Sequence, residues 1–295
     1  MNSIGIVTDS HSSISQELAG QLGIRVLPMP FYINDTCYYE DISLTREQFF
    51  QELASGARIS TSQPTPFDVM KLWDDALREY EQILYMPISS GLSGSCATAL
   101  TLAQDEPYEG RVFVVDHGRV STPLHSYILD ALDLIRDGYT APEIKQILED
   151  SRENMVIYIG VETLEYLKKG GRITPAAAAL GSILNIKPVL KLDVGTLDLD
   201  KKCRGFHKAR RLMIESIRQD AETRFRKFYD TGAFSLVAAS SAPEAVTADW
   251  VAEIQEAFPG TDILCDNLSL GVCCHIGPGG LGIGFCCKPV RPHTF

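Results

Sequence analysis

The stretch Ile83-Leu84-Tyr85-Met86-Pro87-Ile88-Ser89-Ser90-Gly91-Leu92-Ser93-Gly94-Ser95 decides the reading of the fold. The apolar run Ile83 to Ile88 reads as a strand covered on both faces. Ser89 to Ser95 makes a short loop rich in hydroxyls and glycine, and the small residues from Gly94 to Ala103 read as a helix. Backbone N–H groups at a helix start have no intrahelical partner, and the helix dipole adds partial positive charge there. Serine hydroxyls supply further donors, two glycines let a ligand approach the backbone closely, and Ser93 falls at the expected helix cap. These features together describe a site for a small anion.

The same arrangement recurs on either side. Ser3 to Val7 is a strand that runs into a second hydroxyl loop, Thr8 to Ser13. A third, Ser60 to Thr65, precedes a helix opened by a capping hydroxyl at Thr65, a proline at 66 and an acid at Asp68. Helices are expected over Ile14 to Gln21, Leu44 to Ala54 and Ile144 to Leu148, and strands over Ile24 to Phe31 (broken at Pro28 and Pro30) and Arg111 to Asp116. Regular strand–helix alternation calls for a mostly parallel sheet clothed by helices, whose ligands settle at the carboxyl ends of strands. The hydroxyl loops therefore converge on one edge.

A second unit begins near Met155 to Gly160. It contains a helix ending at Lys168-Lys169-Gly170-Gly171, another from Thr174-Pro175 to Leu184, and a hairpin around Gly195. A long helix from His207 to Phe228 follows, then strands at Phe234 to Ala239, Asp262 to Cys265 and Leu281 to Cys287. The expected organisation is an N-terminal α/β domain over residues 1–154 and a C-terminal α/β domain over 155–295, a length that suits two cores.

The composition, 45% hydrophobic and 22% charged, is that of a globular protein. No stretch approaches the roughly twenty apolar residues of a membrane span, and the N-terminus reads directly as a strand without a secretory leader. A cytoplasmic protein is expected. A net charge of −11 argues against broad contact with nucleic acid or an anionic membrane. Lys201, Lys202, Arg204, Lys208, Arg210 and Arg211 form a local basic exception, either a face for an acidic protein partner or a plainly solvated one. Of the eight cysteines, Cys273-Cys274 and Cys286-Cys287 are adjacent pairs and none forms C-x-x-C. Neighbouring cysteines on a strand point apart and chelate one metal poorly, so reduced, buried thiols are favoured over a zinc site built with Cys265 and His275. No metal and no cofactor are expected.

Each candidate residue has a plainer alternative. Thr61 and Ser62 stand in a segment whose hydroxyls can satisfy their own backbone. Arg172, after Gly170-Gly171, can offer a bidentate fork to an anion or lie on the surface after a glycine helix stop. His275, with Gly277, Gly279 and Gly280, reads as part of a loop that fits tightly around something, though a lone histidine is more often structural. A Ser93–His275 nucleophile and base would want a G-x-S-x-G elbow, and Gly91-Leu92-Ser93-Gly94-Ser95 has a glycine one place too early.

Several segments in order resemble the DegV family: Thr8-Asp9-Ser10, Ser60-Thr61-Ser62-Gln63-Pro64, Ser90-Gly91-Leu92-Ser93-Gly94, Leu164 to Ile173 with its Lys-Lys-Gly-Gly-Arg-Ile run, Asn185 to Leu190, and His275-Ile276-Gly277-Pro278-Gly279. The resemblance covers essentially the whole chain. It implies two α/β domains with one long-chain fatty acid held between them, and a carrier that is not itself an enzyme. Bacterial relatives act with a separate ATP-dependent fatty acid kinase subunit that converts the presented carboxylate to an acyl phosphate. On that pattern Thr61 and Ser93, with Ser62 and Gly94 beside them, bind the carboxylate, and His275 joins the network. Arg172 supports phosphate transfer, Lys201, Lys202 and Arg204 form the docking face for the kinase, and the alanine-rich helix from Ala176 and the strand at Phe31 line the tail.

The chain departs from the family pattern after Val115-Asp116, where it continues His117-Gly118-Arg119-Val120-Ser121-Thr122-Pro123-Leu124-His125, an altered loop that bears on chain-length or head-group preference and could mark a member with a different ligand. Two other readings remain open: a hydrolase or acyltransferase using Ser93 and His275, and a binding protein for phosphosugar-type ligands.

Overall fold

The computed structural model describes residues 3–40, 42–179 and 186–291. Two compact units divide the chain: residues up to Glu153 together with those from Pro289 on, and Asn154–Lys288. The chain end returns to the first unit, where the Val290 N–H donates to Ser151 Oγ at 3.3 Å and Arg291 pairs with Asp137.

The strands of the first unit are, in chain order, β1 (Ile4–Asp9), β2 (Arg25–Leu27), β3 (Phe31–Ile33), β4 (Thr36–Tyr38), β5 (Ile59–Thr61), β6 (Gln82–Met86) and β7 (Val112–Val114). Four make a sheet in the order β2-β1-β6-β7, every neighbouring pair parallel. Alternation along β6 sorts its side chains between two cores. Leu84 and Met86 pack with Ile6, Leu124, Ile128 and Ile144. Ile83 and Tyr85 pack with Val7, Val69, Trp73 and Cys96 on the other face. Helices Thr122–Arg136 and Ala141–Asp150 supply the first layer, and Pro66–Ala76 and Ser95–Leu102 the second. Because all four strands run one way, the loops after β1, β6 and β7 leave from a single carboxyl edge. The proline-broken stretch from Ile24 splits as expected, β2 joining this sheet and β3 a small antiparallel one in the order β4-β3-β5.

The second unit continues with β8 (Met155–Gly160), β9 (Ile186–Leu192), β10 (Asp198–Arg204), β11 (Phe234–Ser240), β12 (Ile263–Asn267) and β13 (Leu281–Cys287). They form one sheet in the order β10-β9-β8-β13-β11-β12, parallel only between β11 and β12. Ala209, Met213, Ile217 and Ala221, at four-residue spacing along the helix Phe206–Glu222, are wholly buried against Val156, Tyr158, Ile283 and Phe285.

One expectation is corrected, one helix was not expected, and one expectation lies partly outside the described residues. The helix expected from His207 to Phe228 is two, Phe206–Glu222 and Arg226–Thr231, because Phe225 turns inward and stacks on Phe285 with ring centroids 5.5 Å apart. The helix Thr122–Arg136, to which no element was assigned, begins within the altered 116–125 loop. The helix from Thr174 is described over Pro175–Ala178, and its expected continuation through residues 180–185, with part of the proposed tail-lining segment, lies outside the described residues.

Candidate anion site

The loop after β1 is held by its own hydroxyls. Thr8 Oγ1 donates to the Met86 carbonyl at 2.7 Å, Ser10 Oγ accepts from the Met29 N–H at 3.1 Å, and Ser13 Oγ lies 2.9 Å from Ser121 Oγ. The buried Asp9 carboxylate accepts from the N–H groups of His11 at 2.9 Å and Ile88 at 2.8 Å, tying the loop after β1 to that after β6. Of the three hydroxyl loops, this one cross-braces the sheet edge.

In the loop after β6 the N–H groups of Leu92 and Ser93 donate to the Ser89 carbonyl at 3.0 and 3.1 Å, and Gly91 N–H donates to Ser89 Oγ at 3.2 Å. Ser93 was expected to cap the following helix. Gly94 is the N-cap instead, with no side-chain capping bond. Ser93 Oγ accepts from the Ser95 N–H at 3.2 Å and pairs with Ser95 Oγ at 2.8 Å. Gln63 joins this loop to the Ser60–Thr65 segment. Its Oε1 accepts from Thr98 Oγ1 at 3.2 Å, and a Cβ at Gly94 would lie 3.1 Å from the same oxygen. Thr61, opposite Phe31 at the end of β5, and Ser93 are both half-buried, while Ser62 and Gly94 are exposed. The sequence reading saw a hydroxyl run here but not the glutamine that docks it.

The loop after β7 braces the second hydroxyl loop from behind. Asp116 Oδ2 accepts from Ser90 Oγ at 2.9 Å and pairs with Arg152 Nη1 at 2.7 Å, while Arg152 Nη2 donates to Ser90 Oγ at 3.0 Å. The Ser89 N–H donates to the Arg119 carbonyl at 2.9 Å, and the Ser121 N–H to the His11 carbonyl at 2.7 Å. Ser121 takes a left-handed φ of 58°, a strained conformation held by these ties. His117 is buried, its Nδ1 accepting from the Arg119 N–H at 3.0 Å. Burial, then the Arg119 charge, pull its imidazole down to about 3, against the Pro87 carbonyl.

In the second unit His275 stands in the last turn of the helix Leu270–Ile276, not in the glycine loop. It packs on Gly170, where a Cβ would fall 1.9 Å from Nδ1. Arg172 Nη1 donates to the Gly170 carbonyl. The Lys-Lys-Gly-Gly-Arg segment and the His-Ile-Gly-Pro-Gly segment therefore meet. The tight fit expected of the glycine loop is around the protein itself. A Cβ at Gly277, whose φ is +77°, would lie 2.4 Å from the Tyr166 ring, and Ser241 Oγ bridges the Gly277 carbonyl at 2.7 Å and the Gly280 N–H at 2.8 Å. Lys201, Lys202 and Arg204 lie on the edge strand β10, with Lys202 and Arg204 exposed and Lys201 Nζ 2.5 Å from Ser216 Oγ.

All eight cysteines are free. Burial pushes the Cys96 thiol up to about 12 and the Cys265 thiol to about 11, so neither is a thiolate at neutral pH. No group of three or more His, Cys, Asp or Glu side chains is placed to hold a metal ion among the described residues. Among them, too, no helix is long and apolar enough to cross a membrane.

These features define a two-unit α/β protein with hydroxyl-rich loops at the carboxyl edge of a parallel sheet. The model of an uncharacterised protein family, DegV, matches residues 3–288. A DegV domain-containing protein of Clostridium perfringens is 30% identical over 292 residues, 97% of this chain and 98% of that one. A solved structure reporting fatty acid binding of a DegV family protein from Thermus thermophilus shares 33% identity and superposes with a TM-score of 0.86, covering 97% of this chain and 99% of that one. Another, of a fatty acid binding DegV protein from Bacillus subtilis, shares 26% identity with a TM-score of 0.83 and covers 98% and 100%. The chain belongs to the DegV family.

Proposed function

We propose that this protein is a carrier of a long-chain fatty acid that presents the carboxylate to a partner kinase. The observation that carries the reading is the pairing of the Ser93 and Ser95 hydroxyls, whose oxygens are 2.8 Å apart. Ser95 is buried and has Ser93 Oγ as its hydroxyl partner, so burial favours Ser95 donating to Ser93. Ser93 Oγ then accepts twice, from the Ser95 hydroxyl and the Ser95 N–H, and its remaining capacity is its own proton. A hydroxyl that can only donate suits an anionic head.

Thr61 adds a second hydroxyl from the segment docked by Gln63, with Ser62 and the backbone at Gly94 beside it. His275 takes part in holding the head, Arg172 steadies the phosphate, and Lys201, Lys202 and Arg204 form the face that meets the kinase. In the partner reaction a carboxylate oxygen attacks the γ-phosphorus of ATP, the bond to ADP breaks, and an acyl phosphate leaves with the carrier. The tail supplies most of the affinity, at about 0.8 kcal/mol per buried methylene. The fatty acid binding reported for the Thermus thermophilus relative supports the ligand class.

The test is solvent extraction of the purified protein with mass-spectrometric identification of bound lipid, followed by titration of delipidated protein with palmitic acid. A co-purifying fatty acid and saturable uptake are expected. A protein that carries no lipid and takes up none is not a fatty-acid carrier.

A further inference from the structure

Arg119 is wholly buried, yet among the described residues no carboxylate pairs with its guanidinium. Nη1 donates to the His117 carbonyl at 2.8 Å and Nη2 to the Ser151 carbonyl at 3.2 Å. The guanidinium carbon stands 3.5 Å from the centre of the Tyr127 ring, and Nε, also buried, has no acceptor. Carbonyl dipoles and a π face solvate the charge without cancelling it. Arginine cannot shed its proton to escape burial, so the positive charge is permanent. The neighbouring His117 stays neutral well into the acid range and adds no charge of its own. A buried, unpaired cation is costly to hold, which marks Arg119 as a candidate for a functional role.

The backbone of the same residue meets the head-group loop. The Arg119 carbonyl accepts from the Ser89 N–H at 2.9 Å, at the root of the loop that ends in Ser93. The Asp116 carboxylate near this loop is already matched by Arg152, and that of Asp9 by two backbone N–H groups.

We propose that Arg119 is a specificity-determining residue whose buried positive charge makes the Ser89–Ser95 loop select an ionised head group over a neutral one. It acts on the ligand through the low-dielectric protein, not by contact. The inference rests on the carrier reading above.

The test compares the affinities of palmitic acid and hexadecanol for the delipidated wild type and for Arg119→Met, which keeps an apolar stem and removes the charge. A unit charge within about 10 Å of a carboxylate, near a protein surface, alters its binding roughly tenfold. The acid-to-alcohol preference is therefore expected to fall roughly tenfold in the variant, with hexadecanol affinity little changed. Equal losses for both ligands, or an unchanged ratio, overturn the proposal, since either means Arg119 only supports the loop or does not act on it. Should Arg119→Met fail to fold, carboxyl-labelled palmitate bound to the wild type gives the answer by carbon NMR. The bound carboxyl is expected to titrate below its value in free monomeric acid, and a midpoint at or above that value overturns the proposal. If the wild type binds neither ligand, the carrier reading fails and this inference falls with it. Binding of both ligands without preference sinks the inference alone.

Discussion

Acidification should weaken the first unit through His117. An unfolded imidazole titrates near 6.5, whereas the buried one is held down to about 3. Between these values the unfolded chain binds the proton and the native chain does not, so stability falls as pH falls. The loss begins near pH 6.5, grows by about 1.4 kcal/mol per pH unit, and levels off below about pH 3. At pH 4.5 it amounts to about 2.7 kcal/mol relative to pH 7.5. The figure depends chiefly on the unfolded value, and any native value below about 4 gives nearly the same result. His117→Asn keeps an acceptor for the Arg119 N–H and removes the titration. The assay is urea unfolding from pH 7.5 to 4.5, read by tryptophan fluorescence in a Trp250→Phe background so that Trp73, the other of the two tryptophans, reports the first unit. The variant, whatever its stability at pH 7.5, should lose about 2.7 kcal/mol less than the parent on reaching pH 4.5. Parallel curves for the two proteins would show that His117 is not the buried neutral group described.

Three further outcomes are expected. Ser93→Ala and Thr61→Val should each weaken fatty-acid binding by about 1.5–3 kcal/mol, the worth of a hydrogen bond to a charged group, as calorimetric titration reads; Ser93→Ala should also lower the thermal midpoint, because it removes the hydroxyl partner of the buried Ser95. Gly170→Ala puts a methyl 1.9 Å from His275 Nδ1, so despite the roughly 1 kcal/mol that alanine gains over glycine in a helix, the imidazole must move. Proton–nitrogen NMR of the His275 ring should then shift, and unchanged ring resonances would contradict the packing. Asp116→Asn should leave global stability within about 1 kcal/mol, because the pair with Arg152 is partly exposed, yet should speed amide exchange in Ser89–Ser95; exchange at the parent rate would remove Asp116 from the bracing of that loop.

What could be read from the sequence followed how each segment meets water. Ile83 to Ile88 was legible because a strand buried on both faces is apolar throughout, and the glycines after it could only be a loop. The helix after Thr65 announced itself through a capping hydroxyl, a proline in the first turn and an acid three residues after the cap, and the helix Ala141–Asp150 carries the same signs at Thr140, Pro142 and Glu143. The helix Thr122–Arg136 did not. Thr122, His125, Ser126 and Asp130 are polar and buried alongside Leu124, Ile128, Ala131 and Leu134, which blurs the apolar period that marks a helix. His275 was placed in a loop because Leu270–Ile276, only seven residues with a glycine and two cysteines, carries no helical signature. Nothing in a single sequence distinguishes an arginine after Gly118 that points inward from one that points out, so Arg119 stayed invisible until its surroundings were known. Gln63 was hidden for the converse reason: its side chain matters through the Thr98 hydroxyl, thirty-five positions away.

Hydroxyl density, which first drew attention to three loops, is a weaker criterion than hydroxyl partnership. Thr8, Ser10 and Ser13 make bonds that lock one sheet edge, and Ser90 is committed to Asp116 and Arg152. The Ser93–Ser95 and Ser13–Ser121 pairs each bring two hydroxyls face to face, so that of two protons one is internal and one is left over, and of these four Ser93 is the one that also accepts a backbone N–H. The same count bears on the nucleophile reading. A serine attacks through a lone pair, and with Ser95 as donor both lone pairs of Ser93 are already occupied, by a hydroxyl and by an N–H. Activating Ser93 would require breaking the bond from the buried Ser95, leaving that hydroxyl without a partner at a cost of about 1–3 kcal/mol. Donation to an anion requires no such change. With Ser95 as donor, the geometry favours donation by Ser93 to an anion over attack on an ester, although both would be written with the same serines and glycines.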